Sequence, residues 1–362
     1  MEKYKDMTIK KKSNLKMIRN LVFFLLLIVL TYMFIFKDQD INELVNTIKS
    51  VDLLYVFISI ILMFAVYFSE SFNIKCILKS LGEKNISIFK ALKFTLICFF
   101  FSAITPAATG GQPVEIYYMN KEGISSANAT MAMMLQLCGV QISVLLVSIF
   151  CVIINPSILS GGLVWLFALG IFLNSIVLVF MFIGIFSKKI TKKLVNFAIK
   201  LLKIGRVKNL DKKKKKIEDG LTQYNDSAKF IKEHKVEFFK SIIRVFIQVL
   251  ISHSVPFFVY KSFGLSEYSY IDLLSVQSVL YIMVCSIPLP GSIGVSETVF
   301  LKLFGGIFGE LVLSSAMLIN RFVSFYFFIL ISAVVVIVNA IKTKDIKSKI
   351  DKDVEEIDMV RS

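Results

Sequence analysis

Charged residues are scarce in this chain of 362 residues, since Asp, Glu, Lys and Arg make up only 19% of it. Soluble globular proteins carry roughly 25% charged residues. The deficit is concentrated, because residues 123–187 include no charged residue at all. A soluble core could not bury so long an apolar segment, which excludes a soluble enzyme and a disordered chain. We therefore expect a polytopic membrane protein.

Cysteine and histidine are also rare. The five cysteines have no C-x-x-C spacing, which excludes a disulfide scaffold and favours small hydrophobic side chains over a redox or metal site. His234 and His253 have no second His or Cys at metal-ligand spacing. The chain contains no Walker A, G-x-S-x-G, H-E-x-x-H or G-x-G-x-x-G motif. We therefore expect no cofactor, no metal site and no catalytic residues of these kinds.

A series of apolar stretches is what the chain has instead. They cover residues 21–36, 53–69, 88–104, 127–154, 163–186, 236–260, 273–289 and 312–341. No small-residue cleavage site follows the first stretch, so we expect it to be retained as a span. The pattern predicts an all-α membrane domain over residues 21–341, preceded by a basic N-terminus (1–20) and followed by a charged tail (342–362).

The distribution of lysine and arginine predicts the topology. Segments 1–20, 70–93, 187–240 and 341–362 contain 7, 5, 17 and 6 of them, whereas segments 37–52, 155–162 and 261–272 contain 2, 0 and 1. By the positive-inside rule, the first group and both termini face the cytoplasm. The net charge of +16 is therefore mainly a topology signal, and we expect no nucleic-acid partner.

The cytoplasmic loop 187–235 has two parts. Residues 188–204 place apolar side chains on one face and lysines on the other, which predicts an amphipathic helix on anionic lipid. The lysine run 212–216 is typical of a solvated or lipid-facing loop.

Two segments are predicted to enter the membrane and return on the same side. Residues 70–93 are predicted to face the cytoplasm, and Asn155 is predicted to lie outside at the end of the single span 127–154. That span must therefore start on the cytoplasmic side, so the segment 88–121 must enter the membrane and return to the cytoplasmic side. By the same count, 273–309 must return to the outer side. We therefore predict about six full spans and two re-entrant hairpins that enter from opposite faces.

Each hairpin segment is interrupted by Pro and Gly, which no continuous helix tolerates well. Pro106 precedes Glu115 by nine residues, and Pro288 precedes Glu297 by nine. Opposed, interrupted segments at corresponding places are typical of inverted-repeat transporters with a site near the membrane midplane. We predict such a repeat, with its two turns close together; chance similarity over ten positions is the alternative.

Arg321 lies about nine residues into the last apolar stretch, roughly 13 Å deep at 1.5 Å per residue. An ionisable group there is costly, so a partner or a function is expected. One interpretation is an ion pair with Glu297 that only fixes helix packing. The other is a lipid-headgroup site, in which Arg321 contacts phosphate and the glutamates meet a cationic or hydroxyl group. The candidate lipid-binding residues are Thr105, Pro106, Gly110, Gly111, Gln112, Glu115, Pro288, Pro290, Gly291, Gly294, Glu297 and Arg321.

Other polar residues of the spans have plainer interpretations. We expect hydrogen bonds between helices from Gln136, Gln141, Gln248 and Asn320. Arg244, four residues after Lys240, can extend to the membrane interface. Tyr117 and Tyr118 are interfacial aromatic residues or site residues.

Three segments carry a resemblance to a known family. They are TPAATGGQPVE at 105–115, PLPGSIGVSE at 288–297 and NRFVSFY at 320–326. Over roughly residues 15–341 the chain resembles the flippase-like transmembrane domain of lysylphosphatidylglycerol synthases, which also occurs in stand-alone membrane proteins. The resemblance implies a protein of the bacterial cytoplasmic membrane that moves or modifies phospholipid, related to lysyl-phosphatidylglycerol and to resistance against cationic peptide antibiotics.

Two departures from the family pattern bear on function. Many members carry an acidic–basic pair where this chain has Leu135, Gln136 and Leu137. Full-length synthases add a soluble catalytic domain after the membrane part, whereas residues 342–362 follow here. Because lysine transfer from lysyl-tRNA needs a folded pocket, we expect that this chain alone does not lysinylate phosphatidylglycerol.

Three functions remain open on the sequence. We favour a module that binds and translocates phospholipid, aminoacylated phosphatidylglycerol included. A phosphatidylglycerol lysyltransferase is the first alternative, and a membrane scaffold for a separate soluble synthase is the second. The sequence leaves open whether a soluble synthase or a second copy of the chain is a partner.

Overall fold

The computed structural model describes residues 41–159, 162–186, 234–285, 287 and 289–341, with six further positions between 22 and 33. The basic N-terminus, most of the first predicted span, the loop with its predicted amphipathic helix, Pro288 and the charged tail lie outside the described residues. Within the described residues the chain is helical and has no strand, which confirms the all-α class.

Eleven helices lie between residues 41 and 341 in the described part of the chain. They are α1 (Ile41–Lys49), α2 (Leu53–Ser80), α3 (Ile88–Ala103), α4 (Gly111–Lys121), α5 (Ser126–Ile154), α6 (Gly162–Phe186), α7 (Lys235–His253), α8 (Val255–Ser262), α9 (Tyr270–Val284), α10 (Val295–Phe308) and α11 (Glu310–Ile341). Three 3-10 turns lie between helices of the described residues: turn 1 (Pro106–Ala108), turn 2 (Pro290–Ser292) and a third over Pro156–Ile158. A π-helical turn, Phe322–Tyr326, interrupts α11.

Among the described residues, six helical segments are long and apolar enough to cross a membrane. They are Leu53–Ser80, Ser126–Ile154, Gly162–Phe182, Lys235–Ser262, Pro290–Phe308 and Glu310–Ile341. Five coincide with predicted spans, and the sixth belongs to the second predicted hairpin. Its regular helix, α10, has 14 residues, or about 21 Å, which is shorter than the roughly 30 Å of a hydrocarbon core.

Polar contacts sort the loops into two ends of the molecule. At one end the Asp52 amide donates to the Ser262 carbonyl at 2.8 Å, and Asn155 donates to Asp272 at 3.0 Å. At the other end Glu83 accepts from Asn128 at 2.9 Å. These are the loop groupings that the lysine distribution predicts. Which end faces the cytoplasm remains a prediction.

Both interrupted segments have the shape of a hairpin. Helices α3 and α4 pack together, and Lys90 and Lys93 at the start of α3 pair with Glu122 just after α4. Helices α9 and α10 also pack together, and the hydroxyl of Tyr268 donates to the carbonyl of Gly306 at 3.2 Å. Each segment therefore returns to the end from which it starts. Their position in a membrane remains a prediction.

The two halves of the chain repeat one pattern of elements. Helix α2 begins 182 residues before the segment Lys235–Ser262, and α3 begins 182 residues before α9. Turn 1 begins 184 residues before turn 2, and the same offset relates α4 to α10 and α5 to α11. Three long helices, α2, α5 and α6, begin before the second half. Each of these three helices runs from one end of the molecule to the other. Because three is an odd number, the second half starts at the end opposite to the one where the first half starts, as in an inverted repeat.

The structure corrects one detail of this repeat. The equal spacing from Pro106 to Glu115 and from Pro288 to Glu297 is one of the observations from which the repeat is predicted. In the folded chain Pro106 instead corresponds to Pro290, because each begins a turn of the same shape. Glu115 is therefore the fifth residue of α4, whereas Glu297 is the third residue of α10.

Candidate functional site

Turn 1 and turn 2 lie against each other, which confirms that the two interrupted segments meet. A small apolar cluster surrounds the contact and includes Ala103, Ile104, Ile293, Phe325 and Ile329. The site is therefore built where hairpins from opposite ends of the molecule meet. Their predicted location at membrane depth stays a prediction.

Both turns contain two successive residues in the left-handed region. The φ angles are 53° and 52° at Ala107 and Ala108, and 57° and 52° at Gly291 and Ser292. For a residue with a Cβ this conformation costs roughly 1–2 kcal/mol. Such strain persists only where surrounding structure fixes it, and it is concentrated at functional sites.

The first turn is held by its own side chains. The Thr105 hydroxyl donates to the Phe101 carbonyl at 2.6 Å and accepts from the Gly110 amide at 2.9 Å. Pro106 is the first residue of the turn. A Cβ on Gly111 would lie 2.6 Å from the Cys98 carbonyl oxygen, so only glycine allows α4 to pack this closely on α3.

Arg321 and Glu297 form a buried ion pair, with 2.7 Å between Nε and Oε1. Arg321 also donates from Nη2 to the Gly291 carbonyl at 3.0 Å. The second oxygen of Glu297 accepts from the Gly294 amide at 2.8 Å and from the Ser296 hydroxyl at 2.9 Å. Glu297 therefore links the start of α10 and turn 2 to α11. The predicted ion pair is confirmed.

Aromatic rings complete the support of this arginine. The guanidinium lies 4.7 Å from the ring centroid of Phe325, which belongs to the π-helical turn of α11. The same ring packs on turn 2, since a Cβ on Gly291 would lie 2.5 Å from the Phe325 ring. Single π-helical turns are frequent at functional sites.

A cavity of about 190 Å³ adjoins Arg321, which corresponds to about six water molecules at 30 Å³ each. Its lining includes the polar residues Ser252, Gln277, Ser292, Ser296, Asn320 and Ser324. The Oδ1 atom of Asn320 and the Oε1 atom of Gln277 are buried, and neither has a hydrogen-bond partner among the described residues. Buried acceptors of this kind call for a donor from water or from a ligand.

The predicted hydrogen bonds between helices are found for three of the four residues. Gln136 donates to Gln248 at 3.3 Å, and Gln141 donates to Asn174 at 2.6 Å. Asn320 instead lines the cavity, and its buried Oδ1 atom has no hydrogen-bond partner among the described residues. The sequence therefore missed Asn320 as a site residue, although its position next to Arg321 was a signal.

Glu115 and Gln112 lie apart from Arg321. The Glu115 side chain is completely buried on α4, and neither of its oxygens has a hydrogen-bond partner among the described residues. Gln112 is half-buried at the second position of the same helix. Of the two glutamates predicted as neighbours of Arg321, only Glu297 therefore pairs with it.

A chain of polar side chains joins α2 and α5 of the first half to α7 of the second half, and the sequence did not reveal it. Arg244 donates to Asn73 at 2.9 Å, Asn73 to Gln136 at 2.6 Å, and Gln248 to Glu70 at 3.2 Å. Arg244 also pairs with Glu237, the third residue of α7. The sequence predicted that the span beginning at residue 53 ends at residue 69, which placed Glu70 and Asn73 in a loop. Helix α2 in fact continues to Ser80, so both residues lie within the helix.

These features define a class of protein: an all-α, multi-pass membrane protein with a duplicated helical unit and a polar site where two interrupted hairpins meet. The chain belongs to the family of the lysylphosphatidylglycerol synthase TM region, whose model matches residues 17–332. It is similar to a protein of Archaeoglobus fulgidus described as a UPF0104 membrane protein, with 23% identity over 328 residues. That match covers 87% of this chain and 96% of the relative.

Proposed function

We propose that this protein binds a phospholipid and translocates it across the membrane, with the lipid phosphate bound at Arg321. The observation that carries the proposal is a largely buried arginine beside a polar cavity, at the contact between two interrupted hairpins. Opposed, interrupted segments form the substrate sites of inverted-repeat transporters. A buried charge in a membrane span is by default a functional group.

The hydrogen-bonding capacity of the cavity matches a phosphodiester headgroup. A guanidinium has five N–H donors, and Arg321 uses two of them on Glu297 and Gly291 among the described residues. The remaining donors can bind phosphate oxygens with the paired geometry that arginine favours. The acceptor oxygens of Gln277 and Asn320 suit hydroxyl or ammonium groups of the same headgroup.

An apolar groove supports a lipid as the substrate over a free phosphate ester. The groove has a volume of about 430 Å³ and lies between α1, α2 and α11. Ile319, Phe322 and Tyr326 of its wall flank Asn320 and Arg321 along α11. An acyl chain in this groove would lie beside a headgroup bound at the arginine.

The ion pair suggests how the site is opened. The Glu297 carboxylate neutralises Arg321 while no lipid is bound. An incoming phosphate can replace the carboxylate, which releases α10 and turn 2 from α11. This exchange couples lipid binding to movement of the second hairpin.

The family supports the choice of lipid, because its description names lysylphosphatidylglycerol. As part of the proposal, the substrate is phosphatidylglycerol or its lysyl ester, the location is the bacterial cytoplasmic membrane, and protection against cationic peptides is a consequence. A partner synthase that supplies the lysyl ester is compatible with this role.

Reconstitution of the purified full chain into vesicles with fluorescent phosphatidylglycerol tests the proposal. We expect Arg321→Leu to abolish lipid movement and Arg321→Lys to weaken it, because lysine keeps the charge but not the planar pair of donors. Lys302→Gln changes an exposed residue of the second hairpin; it is the control and should move lipid normally. If Arg321→Leu moves lipid normally and is more stable, Arg321 is only a structural ion and the proposal fails.

A further inference from the structure

Glu115 is a buried carboxyl group that the ion pair does not use. Its side chain has no exposed surface, and neither oxygen has a hydrogen-bond partner among the described residues. Transferring an isolated carboxylate into such surroundings is so costly that the group takes up a proton instead. The geometry therefore favours the neutral acid in the resting protein.

The neighbouring groups offer no compensating charge. Helix α3 contributes the Cys98 thiol, which is uncharged and can donate only a weak hydrogen bond to the Glu115 carboxyl group. Helix α2 contributes Glu70, whose charge, when it is ionised, opposes a second negative charge. Helix α5, which also packs on α4, has no Asp, Glu, Lys or Arg. Glu70 accepts a hydrogen bond from Gln248 at 3.2 Å, so an amide supports it, whereas Glu115 lacks such support.

The repeat shows what the first half lacks. Arg321 corresponds to Leu137 when the 184-residue offset between α5 and α11 is applied. The preceding residue, Gln136, accepts a hydrogen bond from Asn73 and donates one to Gln248. In the second half the Glu297 carboxylate thus pairs with Arg321. In the first half Glu115 has no corresponding cation, because Leu137 occupies the position that matches Arg321.

We propose that Glu115 is a proton-binding site and that its protonation couples proton movement to lipid translocation. The coupling rests on the proposed function, whereas the proton site does not. Uptake forms one O–H bond on the carboxylate with a proton from water, and release breaks that bond and returns the proton to water. A proton needs no cavity, which distinguishes it from a cationic headgroup at this fully buried position.

The packing of the first hairpin links this proton to a movement. The start of α4 lies so close to α3 that a Cβ on Gly111 would be 1.9 Å from the Ser102 hydroxyl oxygen. In this closed arrangement Glu115 has no surface that is accessible to water. Release of the proton therefore requires the hairpin to separate, which also disturbs the contact between turn 1 and turn 2.

Infrared spectroscopy of the purified full chain in lipid tests the proton site without any transport. We expect a carbonyl band of a protonated, buried carboxylic acid at neutral pH, which is lost in Glu115→Gln. Glu122→Gln changes a partly exposed carboxylate paired with Lys90 and Lys93, and it should keep the band. Glu115→Gln should also match the thermal stability of the unmodified chain. An unchanged band, or a strongly destabilised Glu115→Gln, would overturn the proposal.

Vesicles with an imposed pH gradient test the coupling. We expect the gradient to change the rate of lipid movement in the unmodified chain and to have no effect in Glu115→Gln. Lipid movement that ignores the gradient in the unmodified chain would refute the coupling and leave the proposed function standing. No lipid movement at all would refute both, and the infrared band would still decide the proton site.

Discussion

Glu297 and Glu115 occupy positions two residues apart in equivalent helices of the repeat. Two residues rotate a side chain by about 200° around a helix of 3.6 residues per turn. Glu297 therefore faces turn 2 and Arg321, whereas Glu115 faces the interior of the first half. One duplicated framework thus holds one paired and one unpaired carboxyl group.

The first prediction concerns the stability of the ion pair. Glu297→Gln leaves Arg321 without its carboxylate, and removal of one partner of a buried pair costs roughly 3–5 kcal/mol. We expect a larger loss than for Arg321→Lys. The double variant Glu297→Gln with Arg321→Leu should recover part of the loss, because no uncompensated charge remains. Thermal unfolding of each variant in detergent measures these differences, and equal losses for the single and double variants would contradict the prediction.

The second prediction concerns Gly291, whose φ of +57° and contact with Phe325 both favour glycine. Gly291→Ala should cost about 1 kcal/mol from the backbone, and overpacking against the ring should add roughly 1–3 kcal/mol. Gly264→Ala is the control, because its φ is +73° but nothing lies within 4 Å of the added Cβ. Thermal unfolding should rank Gly291→Ala as the less stable variant, and Phe325→Leu should relieve it. Equal stability of the two alanine variants would argue against the ring contact.

The third prediction concerns the contact between the turns. In a chain with its five native cysteines replaced, Ala107→Cys with Ser292→Cys should be joined by a short thiol cross-linker, because turn 1 and turn 2 touch. Ala107→Cys with Ser266→Cys is the control and should not be joined. Mass spectrometry of the digested protein identifies the product. Failure of the first pair in membranes would mean that the hairpins separate there.

The fourth prediction is the topology, which rests on the distribution of lysine. Cysteines at Asn155 and Ser266 should react with an impermeant maleimide added to intact cells. A cysteine at Lys214 should react only after the membrane is opened. The reverse labelling pattern would show that the protein has the opposite orientation in the membrane. The grouping of the loops into two ends would still stand.

Local sequence patterns were enough to predict the helical class, most of the spans and the two interrupted segments. Apolar runs dictate helices in a membrane, because every backbone N–H and C=O group must be satisfied within its own segment. Proline and glycine mark where this fails, and turn 1 and turn 2 lie there. A lone arginine in an apolar run also predicted that Arg321 needs a carboxylate partner.

The tertiary structure alone decided which groups meet. In both segments a proline precedes a glutamate by nine residues, but the backbone aligns Pro106 with Pro290, two residues further on, and separates Glu115 from Glu297 by about 200° of helix rotation. Helix α2 continues past residue 69 because Glu70 and Asn73 find amide partners on helices far along the chain. Local sequence determines where a membrane helix can form, whereas the partners of a buried polar group depend on contacts between distant segments.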